Sequence, residues 1–375
     1  MKAAGVVRRN WIISLLLLIL LSSAGVGTAE TCGSAPLFSA SPLDLGHIMY
    51  IRTLGGLNPP GHVFPTDHIY FYIQQDTSGT PYEVPFYAPG DMTVTTIYAS
   101  QHVRAGYTDF SLDLRPCEDV TVVFGHITSL AIAVFGDTTS FQDWELSHEY
   151  ETGGELYRRW RKSVSIQIAA GQTLGTTGGR YGQFALDLGV YDDRAPAVNV
   201  ANPDRWMRSS VLYARCPFEY YMPGPILDEL VSLVDRKDSP DDSLKCGAVF
   251  LDISGTAQGN WFAFGVSSTY PEDPHLALVY SNTNSAVAVI SVGTSIPGLS
   301  SGRYEFRPRA GGLVNRAFHD ITPDGKIYGF DTDRHTGIII VSMPDEETLW
   351  IEALSTSSTN SGNWSFTSRK AIFKR

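Results

Sequence analysis

What most constrains this chain is a long succession of short β-branched and aromatic runs, each closed by a Gly, Pro or Asp turn, with a single helical stripe among them. Runs at 47–52, 67–73, 92–99, 103–114, 118–124, 163–168 and 183–190 read as strands, and strands resume at 248–253, 261–266, 275–280, 286–292, 302–306, 326–330, 337–341 and 348–354. Their close spacing argues for barrels or sandwiches rather than βαβ units. The helical stripe opens at Pro225 and repeats apolar residues at Ile226, Leu227, Leu230, Leu233 and Val234 before Lys237-Asp238-Ser239-Pro240 stops it. The polar stretch 138–161 interrupts the strand pattern and reads as an inserted loop with a short helix. Its cluster of Arg158, Arg159, Arg161 and Lys162 reads as a solvated face. The expected fold is mainly β: a barrel or sandwich domain, one short linking helix, and a second β-rich module, with no sequence repeat between the halves.

Composition narrows the function classes. The 375 residues are 43% hydrophobic and 18% charged, which excludes a disordered chain. The net charge of −11 argues against a nucleic-acid surface, which carries a basic field. Lys2, Arg8 and Arg9 precede an apolar run at 11–21, and Gly27-Thr28-Ala29 fits small-x-small cleavage. Residues 1–29 therefore read as a signal peptide; the alternative is an uncleaved membrane anchor, since 11–29 is just long enough to span. Either way the body is expected outside the cytoplasm, as a secreted, periplasmic or cell-surface protein.

Four cysteines allow three full connectivities and contain no C-x-x-C. Two staples are expected in an oxidising compartment. Cys216 and Cys246 flank the helix and are expected to pair, leaving Cys32 with Cys117.

Three segments carry the chemistry. Gly61-His62-Val63-Phe64-Pro65-Thr66-Asp67-His68 leads into Val84-Pro85-Phe86-Tyr87-Ala88-Pro89-Gly90-Asp91. Next comes Phe124-Gly125-His126-Ile127-Thr128, and then Ala170-Gly171-Gln172-Thr173-Leu174-Gly175-Thr176-Thr177-Gly178 with Ala185-Leu186-Asp187. In this order, over about 60–200, they resemble the LytM/lysostaphin-type zinc endopeptidases that cut cell-wall peptides. That family shows a His–Asp pair entering a strand, "P-V-Y-A-P-x-D-G", "Y-x-H-L-S", "A-G-Q-x-I-G-x-x-G" and a closing "H-x-H". The resemblance implies a LytM-like barrel over 30–215, with an insertion near 138–162. It does not reach the helix-bearing linker at 216–245 or the module at 246–375.

Carried across, the site is broken. His62 and Asp67 have four residues between them where the family has three, and the closing H-x-H falls on Ala185-Leu186-Asp187. The resemblance thus implies His62, Asp67 and Asp187 as the candidate zinc ligands and His126 as the catalytic acid or base, with Ala185 where a second catalytic histidine stands. Losing a general acid or base typically slows a reaction ~10²–10⁴-fold. His68 is a possible substitute. Strand alternation, however, would place it on the face opposite Asp67. The bland reading makes His62 and His68 backbone-bonded histidines and Asp187 a hydrogen-bonded carboxylate at the barrel mouth.

Further along, 255–262 is an amide-rich loop suited to sugar contacts, or simply a turn before a core Trp261. Asn363-Trp364-Ser365 is a glycosylation sequon. The expectation is an exported, LytM-like binding or scaffold protein of the cell envelope with little or no peptidase activity. Its partners would be a peptide, glycan or protein there, with no nucleic acid and membrane contact only through an uncleaved N-terminus. The alternatives are an active metal-dependent endopeptidase and a structural surface protein.

Overall fold

A computed structural model of the chain describes Met1 and residues 31–375 except 34–35, 199, 207–208, 237–244, 250–251 and 356–362. Apart from Met1, the expected signal segment lies outside the described residues, as does the helix stop at 237–240. Among the described residues no helix is long and apolar enough to cross a membrane.

The first half contributes β1 (Ile48–Arg52), β2 (Ile69–Ile73), β3 (Val84–Tyr87), β4 (Met92–His102), β5 (Tyr107–Cys117) and β6 (Val120–Leu130). After a one-turn α1 (Ile132–Phe135) come β7 (Glu145–Thr152), β8 (Glu155–Ile168), β9 (Thr173–Thr177), β10 (Ala185–Asp192) and the short β11 (Ala214–Arg215). They form one sheet with the path β1-β2-β10-β6-β5-β4-β8-β7. β6 also pairs with β9 at its far end, β9 with β3, and β10 with β11. Alternation places Ile69, Phe71 and Ile73, Leu186 and Leu188, and Leu112 and Leu114 in one core. Tyr70, Tyr72 and Asp187 are thereby turned to the opposite face.

Helix α2 (Pro225–Ser232) begins where the sequence predicts but stops before Leu233. It is no free linker: Leu230 is wholly buried in the first core, and Val234 forms a parallel bridge to Ile51. The second module has β12 (Gly259–Ala263), β13 (Leu276–Tyr280), β14 (Ala288–Val292), β15 (Gly302–Phe306), β16 (Tyr328–Phe330), β17 (Ile338–Asp345), β18 (Thr348–Leu354) and β19 (Ala371–Lys374). Its antiparallel path is β15-β14-β13-β12-β19-β18-β17-β16, so β19 stitches two meanders together. Trp261 is fully buried there, as the bland reading of its loop expects.

The mainly β expectation holds, and several local expectations change. The stretch 138–161 is not a loop with a helix; its greater part is the β7–β8 hairpin. There Arg158 and Arg161 pair with Glu149 and Glu145 across the strands. Cross-strand charge pairs of this kind suit an exposed hairpin, whose polarity masked it in the sequence. β3, β9 and β19 were not anticipated, because Pro85, Gly175 and their short length hid them. The run at 248–253 lies partly outside the described residues, and its described members are not strand. The disulfides are Cys32–Cys117 and Cys216–Cys246, as expected. They fit an oxidising compartment.

A third apolar cluster joins the modules. Leu57, Val63 and Phe64, from the loop between β1 and β2, pack on Phe262, Ala277, Val279 and Val289 of the second sheet. A fully buried large side chain is worth about 1.5–3 kcal/mol over an exposed one, so this cluster outweighs free swinging of the modules. Polar contacts agree: Asn282 Nδ2 donates to Thr53 O at 3.0 Å, and the Phe64 N–H donates to Glu272 Oε2 at 2.8 Å. The second module thus grips the loop that carries His62, Asp67 and His68.

Candidate functional site

The site lies on the face of the first sheet turned away from its core. Asp187, the third residue of β10, stands opposite Tyr70 of β2 on one side and Gly125 of β6 on the other. A β-bulge supplies its neighbour. Leu112 pairs with Phe124 and Phe110 with Ile127, so Gly125 and His126 together oppose Ser111. His126 takes up the extra residue in the left-handed region, at φ 58°, which lets Phe124 and Ile127 both reach the core. Its carbonyl is held by Thr177 Oγ1 at 2.8 Å and Gln183 Nε2 at 2.6 Å. Gly125 leaves room for this carboxylate, since a Cβ would lie 3.2 Å from Asp187 Oδ2 and make it shift.

Carboxylates and imidazoles then alternate across the sheet. Tyr191 Oη donates to Asp67 Oδ2 at 2.8 Å, and His68 Nδ1 donates to Asp67 Oδ1 at 2.8 Å. Asp187 Oδ2 lies 3.4 Å from His68 Nε2 and 3.4 Å from His126 Nε2. Asp109 Oδ2 of β5 lies 3.4 Å from His126 Nδ1 and 3.4 Å from His102 Nε2. His126 is the accessible member, with 43% of its side chain exposed against 13% for Asp187 and 9% for Asp109.

The charges follow from this alternation. The Asp187 carboxylate, with Asp109 adding to it, pushes His126 up to about 9 against the opposing effect of burial. Burial disfavours a charged His68, yet Asp187 and the bond to Asp67 outweigh it and raise its pKa. Burial would raise Asp109, but hydrogen bonds from His102 and His126 bring it down to about 2. His62 goes the other way: burial and then the neighbouring His68 lower it to about 3, so it is neutral. At neutral pH His126 is an imidazolium, able to give a proton or hold an anion but not to accept a proton as a base.

The sequence-predicted residues are only partly brought together. His62 sits in the loop with its backbone paired to Asn58, and its ring meets that of His68 edge-on at 5.7 Å between centroids. Asp67 uses one oxygen on His68 and the other on Tyr191, the posture of a residue that orients a histidine. Asp67 and His68 are not held to strand alternation, because β2 begins at Ile69 and both residues lie in a bend. A tetrahedral zinc with bonds of ~2.0–2.2 Å needs three protein atoms drawn close around one point. Among the described residues the one trio of His, Cys, Asp or Glu with ligand atoms mutually within 4.8 Å is Cys216, Glu219 and Cys246, whose cysteines are joined as a disulfide. His62, Asp67 and Asp187 do not converge in that way. Ala185, facing Tyr72, is buried.

Asp109, His102 and Tyr191 were missed. For the first two a signal existed: the turn with Gly106 pairs His102 with Tyr107, which sets the register that carries Asp109 beside His102. Tyr191 had none, since its bond to Asp67 spans 124 residues. Compared with protein-family models, curated proteins and solved structures, the chain finds no match.

Proposed function

We propose that this protein is an extracytoplasmic binding protein built on a LytM-like barrel, which uses the face around His126 and Asp187 to hold a component of the cell envelope without cleaving it. The observation that carries this reading is the Asp187 carboxylate lodged between two imidazoles. Where the family resemblance implies a metal-binding strand end, an internal ion-pair chain engages both oxygens of Asp67 and one of Asp187. Ala185 removes half of the proton-handling pair, and the imidazolium of His126 suits recognition better than activation of water. The paired cysteines support a location in an oxidising compartment, and the N-terminal segment supports export.

A second reading, a working metal-dependent endopeptidase, is favoured by one observation. Oδ1 of Asp187 is buried and makes no hydrogen bond, so one carboxylate oxygen beside His68 is available to an ion. Metal analysis of protein purified without chelators, together with a His68→Ala variant and assays on wall peptides, separates the two. The binding reading expects less than stoichiometric metal and no turnover. One zinc per chain that disappears in His68→Ala, accompanied by peptide cleavage, establishes the peptidase instead.

A further inference from the structure

The basic run on β8 is not uniformly neutralised. Arg158 and Arg161 pair with Glu149 and Glu145, and Lys162 lies 5.9 Å over the Trp144 ring. Arg159 has no such acid: among the described residues it enters no ion pair, and its guanidinium carbon sits 4.2 Å over the Tyr98 ring. Its Nε is buried without a hydrogen bond, whereas the half-buried side chain turns its terminal N–H groups to solvent. Arg180, in the loop between β9 and β10, repeats the arrangement: half-buried, in no ion pair among the described residues, and 4.6 Å over the Tyr107 ring. Both stand on the face of the candidate site. Tyr107 packs on His102 at 4.0 Å between centroids, and Tyr98 stands opposite Ser111, which faces the His126 bulge. Tyr98 Oη donates to Asp113 Oδ2 at 3.1 Å, so the phenol engages that acid and Arg159 does not.

Building on the binding reading above, we propose that Arg159 and Arg180 are two anchor points for an acidic segment of a partner polypeptide, each taking one carboxylate. A guanidinium lying on a ring keeps its edge N–H groups, and that edge matches a carboxylate two bonds at a time. The ring holds the fork in place without neutralising it, which lowers the ordering cost of binding. The chain has 39 acidic residues against 28 basic ones, so two arginines beside the site lack a partner for reasons other than a shortage of acids. Register sets their spacing. Arg159 pairs with Ser100, and Tyr107 with His102, on opposite sides of β4. Their backbones are therefore two strands and two residues apart, about 12 Å, which an extended polypeptide covers in about four residues. Asp109 also pairs with Ser100 and so shares the row of Arg159. Its carboxylate repels a polymer charged at every unit, so the observations favour a polypeptide whose acids come at intervals over a polyuronate or polyphosphate.

The test uses the full chain and fluorescence-anisotropy titration with labelled peptides carrying two glutamates four positions apart, one glutamate, or glutamine in both places. Wall peptides, inorganic phosphate and a polyuronate serve as rivals. The two-glutamate peptide is expected to bind about tenfold or more tighter than the glutamine peptide, and to weaken as salt rises. Arg159→Gln and Arg180→Gln are each expected to bring it down to the level of the one-glutamate peptide, with urea midpoints unchanged. The glutamine peptide makes the same point on the unaltered chain, so a variant that folds poorly does not decide the matter. Equal affinity for the glutamate and glutamine peptides, or full affinity in both arginine variants, overturns the anchors while leaving the binding protein intact. Displacement of the peptide by phosphate or polyuronate at equal charge concentration also overturns them. Cleavage of the wall peptides in the same assay overturns the binding reading itself.

Discussion

Gly125 and Asp187 face each other across two paired strands so closely that a methyl group on the glycine would stand 3.2 Å from the carboxylate oxygen and 3.3 Å from the Asp187 Cβ. That closeness lets one carboxylate serve His68 and His126 together.

Gly125→Ala is therefore expected to push Asp187 aside. Overpacking of this kind costs about 1–3 kcal/mol, readable by urea denaturation. The His126 titration midpoint, followed by NMR, should fall toward the ordinary histidine value as Asp187 withdraws. An unchanged midpoint in a folded variant would show that Asp187 is not its principal partner.

The histidines should titrate far apart, with midpoints of about 9 for His126 and about 3 for His62. The sign for stability follows. His126 is raised in the folded state, so its contribution is complete below the unfolded value near 6.5 and is lost as pH rises through about 9. His62 is depressed, so the folded state resists its protonation and stability drains away as pH falls from about 6.5 toward 3. Asp187→Asn should flatten the alkaline limb, and denaturation midpoints between pH 6.5 and 9 check it. Equal slopes in both proteins would remove Asp187 from the account.

Glu272 holds the loop of the site from the second module. Burial pushes its carboxyl up to about 8, against the stabilising Phe64 N–H. Its folded form keeps a proton that the unfolded chain releases near 4.5, so its contribution declines as pH rises from there to about 8. Glu272→Gln should thus be nearly neutral at pH 7 and lack that decline. Glu272→Ala, which orphans a backbone donor, should cost about 1–3 kcal/mol in chemical denaturation. Equal losses in the two variants would show that the charge, rather than the accepted hydrogen bond, matters.

The disulfides close stretches of different length, 85 residues for Cys32–Cys117 and 30 for Cys216–Cys246. In the chain-entropy description these contribute roughly 4.6 and 3.6 kcal/mol. Paired serine substitutions should reproduce that order in urea unfolding. A larger loss from Cys216→Ser/Cys246→Ser would place the weight on how that bridge pins Cys246 into the first core beside α2.

Local signals were the legible part of this chain. Alternation in β2 and β10 and the Pro225 helix start each depend on neighbours within a few residues, so periodicity exposes them, whereas the run read as a strand over 103–114 hides the turn at 103–106 that closes the β4–β5 hairpin. His126 and Asp187 stood out only through the motifs that the family resemblance implies. The hairpin β7–β8 escaped because neither face is apolar; its strands are held by cross-strand ion pairs and by β4, which no local pattern records.

By itself, then, the sequence determined a mainly β chain, two bridges and a set of histidines and aspartates in strands and turns. Only the tertiary structure decided which of them meet. Register in a sheet follows from pairings between residues tens of positions apart, and one bulged residue at His126 is enough to send a side chain to the other face. That single slip, together with the loop gripped by the second module, assembles the Asp67–His68–Asp187–His126–Asp109–His102 chain, because carboxylates and imidazoles become partners only when sheet pairing brings them within bonding distance.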